Sequence, residues 1–226
     1  MHSIYEDNHV IIVSKDSGEI VQGDKTGDTP LSETVKQYIK EAYAKSGNVF
    51  LGVVHRLDRP VSGLVLFSRT SKALPRLNKM FAEGSIHKTY WAIVSSLPAQ
   101  HQGTLVHWLV RNEKQNKSYA YDREVPNSKR AELDYKLIAQ GERYYLLEVT
   151  LKTGRHHQIR CQLSKIGCPI KGDLKYGAKR SNPDGSISLH ARKIEFLHPV
   201  SQKQIIAEAP VPNDNLWQSL VQHIQG

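Results

Sequence analysis

The chain has 226 residues, 39% of them hydrophobic and 23% charged, enough for one large domain with a sizeable core. No apolar run nears the roughly 18 residues of a membrane helix, and the N-terminal MHSIYEDNHV lacks the layout of a secretory signal, so a membrane protein is excluded and export by that route is not expected. Two cysteines, Cys161 and Cys168, are too few for a disulfide framework and read as reduced thiols of a cytosolic protein, while the net charge of +9 favours a polyanionic partner.

In chain order, Val10–Val13 reads as a strand ended by the turn chemistry of Lys15-Asp16-Ser17-Gly18. Asp28-Thr29-Pro30 opens a helix with a capping residue and a proline in the first turn. Its apolar stripe is Leu31, Val35, Tyr38, Ile39 and Ala42, with Gly47 at the expected C-cap. Residues 50–54 and 64–67 read as short strands flanking His55-Arg56-Leu57-Asp58-Arg59-Pro60-Val61-Ser62-Gly63. A helix over 71–81 follows, weakened by Pro75. Strands are expected at 88–94, 131–138, 144–151, 188–196 and 203–207, and helices at 155–166 and 214–224. Many strands and few scattered helices indicate an α+β fold around a mostly antiparallel sheet rather than a doubly wound one.

The bases are clustered. Residues 152–180 hold eight Lys/Arg against Asp173 alone, and residues 55–90 hold seven against Asp58 and Glu83. Such surfaces suit nucleic acid, although a solvated basic face has the same composition. Within the first cluster Asp58 lies between Arg56 and Arg59, after a strand and before a Pro/Gly turn, where irregular backbone on a rigid frame presents functional groups. A nearby guanidinium holds a carboxylate in its charged form, fit to act as nucleophile or base. The same pattern also describes a structural Arg–Asp pair.

In the second cluster, Thr153 or Gly154 begins a helix whose free N–H groups favour phosphate. Arg155 is then in its first turn, and His156 and Arg160 share one face. A cation at the positive end of a helix calls for an anion, from the protein or from a ligand. A plain helix start on a basic surface fits as well. Neighbouring histidines on a helix point in different directions. The eleven histidines form no HExxH or Cys/His quartet, so no metal is expected. No Walker loop, GxGxxG or GxSxG occurs, and no cofactor is called for. Tyr90 reads as a core aromatic or as a ring for stacking on an unpaired base.

Together these segments resemble the RluA-type pseudouridine synthases. HRLDRPVSGLVLF resembles that family's HRLD-x-x-(T/S)-S-G motif, and KTYWAIV its K-x-Y-x-A-x-V strand. LKTGRHHQIRCQLSKIGCPIKGDLKYG resembles its TGR-x-HQ-(I/L)R…GD-x-x-Y-G segment, and Leu189-His190-Ala191 and Leu197-His198-Pro199-Val200 its closing motifs. The blocks keep their order from about residue 4 to 212. Ser14-Lys15-Asp16-Ser17-Gly18 departs from the usual N-K-P-(S/A)-G, and Val61 from the usual threonine.

The resemblance implies one catalytic domain over residues 1–226, with a bent, mostly antiparallel mixed sheet, flanking helices and a central cleft. It implies no preceding S4 domain. By the same transfer Asp58 attacks the target uridine, Arg56 fills the space of the flipped base, and Tyr90 stacks on the uracil. Arg160 pairs with the catalytic aspartate, while Arg155 and His157 support the site or contact phosphate. The expected enzyme is a cytoplasmic, monomeric RNA isomerase without cofactor or metal, acting on a stem-loop of transfer RNA or large-subunit ribosomal RNA. A non-catalytic RNA-binding module would not need an acid in a basic cleft. An Asp-nucleophile hydrolase would want a second carboxylate, for which Asp173, read as structural, is the nearest candidate.

Overall fold

Val10, Ile11, Ile12 and Val13 are all fully buried, as in a strand covered on both faces, and they form the centre of β2 (Val10–Lys15). The computed structural model describes residues 2–224. The elements before the chain midpoint are β1 (His2–Glu6), β2, α1 (Leu31–Ala42), β3 (Gly52–Val53), β4 (Ser62–Ser68), α2 (Ala73–Glu83), β5 (His87–Val94) and β6 (Gln102–Asn112). Then come β7 (Lys117–Tyr121), β8 (Lys129–Gln140), β9 (Tyr145–Leu151), α3 (Gln158–Lys165), a 3₁₀ turn at Leu174–Tyr176, β10 (Leu189–Leu197), β11 (Gln204–Glu208) and α4 (Asn215–Val221). The fold is α+β, as the strand-rich sequence indicates.

Two compact units divide the chain. The first runs to His87 and resumes over Ala191–Pro210; the second is Lys88–His190 with the residues from Val211 onward. In the first, β1, β2, β4 and β10 lie side by side in that order, with β3 added to β4 and β11 to β10. The pairings β1–β2, β2–β4, β3–β4 and β10–β11 are antiparallel. Val10, Ile12, Leu64, Leu66, Leu77, Ile194 and Phe196 share one core cluster. In the second unit the order is β5-β9-β8-β6-β7, antiparallel throughout. One face packs Leu109 and Ala131 against Cys161 of α3 and Tyr176, and α4 sends Trp217 and Leu220 into a second cluster with Trp91, Ile93 and Leu146.

Several local expectations shift. The stripe of α1 buries Leu31, Val35 and Ile39, with Tyr38 half-buried and Ala42 exposed. Its N-cap is Pro30 without a side-chain cap; the N–H groups of Leu31 and Ser32 donate instead to the carbonyls of Ile20 and Val21. The helix ends at Ala42, five residues before Gly47, because Ala44 adopts φ 47° and the amides of Ala44 and Lys45 close onto the carbonyls of Glu41 and Lys40. Pro75 is accommodated as the third residue of α2, where its missing N–H would be unpaired anyway. The strands β1, β6 and β7 are additional to those read from the sequence.

Candidate active site

In the first unit, the segment between β3 and β4 carries Arg56 and Asp58 on irregular backbone. Leu57 and Val61 are buried and anchor it, Arg56 is exposed, and Asp58 is half-buried. The Val61 amide closes a turn onto the Asp58 carbonyl at 3.0 Å, and the Gly18 amide donates to the Arg59 carbonyl at 2.8 Å. Gly63 follows at φ 112°, with its Cα so close to Ala191 that a Cβ would lie 2.5 Å from the Ala191 nitrogen. His55 sits at the start of the segment. Its ring stacks on Phe81, and its Nε2 accepts the Leu66 amide at 2.9 Å, which puts the ring proton on Nδ1.

Beneath this segment lies a fully buried cation, Lys15. Its Nζ donates to the carbonyls of Asp16 (2.8 Å), Arg59 (3.1 Å) and Val61 (2.6 Å). Burial pushes the ammonium down to about 8, a shift that the carboxylates of Glu19, Asp58 and Asp16 oppose and the Arg59 guanidinium reinforces. Arg59 turns the other way, to Asp28 at 2.7 Å, Thr26 at 2.8 Å and Asp24 at 3.5 Å. Asp28, expected as a helix cap, therefore ties the 24–28 loop to the residue next to Asp58.

The second unit holds Tyr90, Arg155, His157 and Arg160. Tyr90 is buried in β5 opposite Val149, on the sheet face that α3 covers. The helix expected over 155–166 is shorter. His157 takes a left-handed φ of 52° and stands as N-cap, so α3 begins at Gln158 and Arg155, His156 and His157 precede it. His156 and Arg160 accordingly do not share a helix face. The two histidines, expected to diverge on a helix, instead stack with ring centroids 3.7 Å apart. Gln158 holds this turn together: its Oε1 accepts the Arg155 amide and the Thr153 hydroxyl at 2.9 and 2.8 Å, and its Nε2 donates to the Glu132 carbonyl at 3.0 Å. Arg155 stays exposed, with its Nε on the Arg130 carbonyl.

His157 is buried. Its Nδ1 lies 2.9 Å from the Tyr176 hydroxyl, which accepts the Ser118 amide at 2.8 Å and so turns its own proton toward the imidazole. Burial pushes the Tyr176 phenol well above its ordinary range. Arg160 makes a two-pronged pair with Asp173, Nε to Oδ2 at 2.7 Å and Nη2 to Oδ1 at 2.9 Å, and its guanidinium carbon lies 5.1 Å from the Tyr176 ring centroid. Asp173, read from the sequence as structural, is thus a buried partner of Arg160. Lys15, Gln158 and Tyr176 had no assigned role in that reading. The only signal for them was their position inside the quoted motif segments.

Among the described residues, no three His, Cys, Asp or Glu side chains converge as a metal site, and no helix is long and apolar enough to cross a membrane. Burial raises the Cys161 thiol to about 11, which makes it inert as a nucleophile.

Residues 9–165 match a family described as RNA pseudouridylate synthase. The chain is 33% identical over 217 residues to a protein named Uncharacterized RNA pseudouridine synthase YhcT from Bacillus subtilis (strain 168), covering 93% of this chain and 68% of that one. It is 31% identical over 221 residues to the Ribosomal large subunit pseudouridine synthase D of Zymomonas mobilis, covering 93% and 69%. The solved structure of Human RNA Pseudouridylate Synthase Domain Containing 4 shares the fold, with a TM-score of 0.78 at 20% identity over 94% of this chain and 89% of that one.

Proposed function

The chain belongs to the RNA pseudouridylate synthase family, among its RluA-type members, and isomerises uridine in RNA to pseudouridine; we propose that Asp58 is the nucleophile of that reaction. The N1–C1′ bond breaks, the uracil turns, and C5 bonds to C1′ while the C5 hydrogen leaves to solvent and N1 gains a proton. The pinned loop carries the assignment. Lys15 and Gly18 grip the Arg59 carbonyl, and the Asp58 carbonyl closes a turn, so the backbone around Asp58 is fixed while the residue itself is only half-buried. Exposed Arg56, two residues earlier, suits insertion into the stack that the flipped base leaves. The flip costs a few kcal/mol, roughly, which a stacking guanidinium partly offsets.

Tyr90 is assigned to the uracil ring and Arg160 to holding the catalytic carboxylate charged, on the resemblance of their motifs. The buried Asp173 pair supports Arg160's role by fixing its orientation. His157, buried against Tyr176, supports the turn that presents exposed Arg155 to phosphate. We read residues 1–226 as one catalytic domain, since two of the three points where the chain passes between its units fall inside strands, β5 and β10, and the third is the short stretch between β11 and α4. The substrate would be a stem-loop of transfer RNA or large-subunit ribosomal RNA, and the enzyme a cytoplasmic monomer.

The test is tritium release from cellular RNA labelled at uridine C5 and lacking its native pseudouridines. Wild type should release tritium and leave pseudouridine in the digest, and Asp58→Asn should fall to background while still binding RNA. Release by Asp58→Asn at the wild-type rate would remove it as nucleophile. No release by wild type from RNA known to contain competent sites would favour a binding module that kept the fold.

A further inference from the structure

The edge of the second unit's sheet exposes an aromatic face for which the reaction itself has no use. Register places Trp108 of β6 opposite both Tyr121 of β7 and Arg130 of β8, and Tyr119 of β7 opposite Val110 of β6. Side chains alternate on these strands. Leu109, Ser118 and Ala131 turn inward and are buried, so Trp108, Tyr119, Tyr121 and Arg130 share the outer face. Of the unit's helices among the described residues, α3 contacts the inner face through Cys161 and Gln162, and α4 packs on Trp91, Ile93, Ala139 and Leu146, on β5, β9 and the far end of β8. Tyr119 and Tyr121 are 38% and 41% exposed, and Trp108 is half-buried beside them. Lys117 reaches over the Tyr119 ring at 5.4 Å.

Large rings left in water on an edge strand are a liability unless something covers them. The chemistry of the surroundings says what. Residues 108–130 carry six Lys/Arg against three acids. On the same face, the acids Glu132 and Asp134 are matched by Arg130 and Lys152. Rings side by side on a sheet, in a segment with an excess of cationic side chains, are how proteins hold unpaired bases: each nucleobase stacks on a ring while its phosphates meet Lys and Arg. An apolar protein partner would not be drawn by that charge.

We propose that the outer face of the β7–β6–β8 edge, built on Trp108, Tyr119 and Tyr121, is a stacking platform for unpaired nucleotides of the RNA substrate. The proposal rests on the reading of the chain as an RNA-acting enzyme. It adds where single-stranded RNA is held apart from the reacting uridine.

The probe is a fluorescein-labelled single-stranded oligocytidine, which has no uridine to isomerise, with a duplex of equal length as control. In anisotropy titrations, Tyr119→Ala/Tyr121→Ala should bind the single strand at least about tenfold more weakly than wild type, with little change for the duplex. Tyr119→Phe/Tyr121→Phe keeps the rings and should bind like wild type. The logarithmic salt slope should stay unchanged in both tyrosine variants and fall when Arg130 and Arg123, exposed two residues past β7, are replaced together (Arg123→Gln/Arg130→Gln), because only that pair removes phosphate contacts.

Single-strand binding by the alanine pair equal to wild type overturns the platform, as does a phenylalanine pair as weak as the alanine pair. Concentration-dependent self-association that the alanine pair abolishes, with oligocytidine binding intact, also overturns it in favour of a face between two copies. The two readings fail separately. Tritium release by wild type with unaltered oligocytidine binding by the alanine pair removes only the platform. Absent release with weakened binding removes the synthase reading and leaves the platform in place.

Discussion

Asp173→Ala tests whether the pair beneath α3 is a fixed part of the frame. Arg160 is 5% exposed and Asp173 1%, and two charge-assisted hydrogen bonds of 2.7 and 2.9 Å join them. Truncation leaves a buried guanidinium without either bond, which costs about 3–5 kcal/mol where a buried pair loses one member. The backbone is spared as a confounder, since the Asp173 carbonyl still accepts the amides of Tyr176 and Ala178. Asp28→Ala is the internal comparison. Its pair with Arg59 has nearly the same length, 2.7 Å, but the partners are 57% and 39% exposed, and solvent screens such pairs so that they contribute little to stability. Urea unfolding followed by tryptophan fluorescence should show a large fall in midpoint for Asp173→Ala and almost none for Asp28→Ala, at unchanged m. Equal losses in the two variants, or a loss under about 1 kcal/mol for Asp173→Ala, would refute the claim that burial decides the difference.

Two other consequences are open to measurement. Burial depresses Lys15 from 10.5 to about 8, so between those values the unfolded chain holds a proton that the native protein has lost. The unfolding free energy of wild type should therefore rise with pH across that window relative to Lys15→Met, and a constant difference would show that the ammonium is not desolvated as its carbonyl cage implies. Gly63→Ala puts a Cβ at φ 112° and 2.5 Å from the backbone nitrogen of Ala191. It should lose on the order of 3 kcal/mol or fail to give soluble protein, and a thermal midpoint within a few degrees of wild type would contradict that packing.

The sequence made β2 and β4 legible because strands buried on both faces leave continuous apolar runs, and these the amphipathic stripe of α1 and the alternation of β8 joined. It hid β6 and β7 for the opposite reason. Their inner face carries buried polar groups, His107 and Ser118, while the outer face carries Trp108, Tyr119 and Tyr121, so the polar/apolar alternation that marks a half-buried strand is inverted there. The start of α3 was invisible too. No glycine or proline stands at the break itself, Gly154 lying three residues earlier, and the left-handed turn falls on His157, which takes that conformation more readily than most residues but far less than glycine. Motif resemblance located Asp58, Tyr90 and Arg160. The partner of Arg160 thirteen residues on, and the cation under the Asp58 loop, depend on tertiary burial that no local pattern encodes.

One device recurs where the proposed functional residues sit. Loops that present side chains cannot satisfy their own amides and carbonyls through a ladder, yet a loop left to solvent would not hold a carboxylate in one place. In both segments a buried polar side chain supplies the missing partners from below. Lys15 stretches to the carbonyls of Asp16, Arg59 and Val61 under Asp58, and Gln158 takes the Thr153 hydroxyl and the Arg155 amide while donating to Glu132. Each uses a head group with several hydrogen-bonding sites on a stem long enough to reach from regular structure. The desolvation cost falls on Lys15 itself, which is why its affinity for a proton drops while the Asp58 loop stays ordered. Strand and helix thus fix the position of Lys15 and Gln158, and those two residues fix the irregular backbone that carries Asp58 and Arg155.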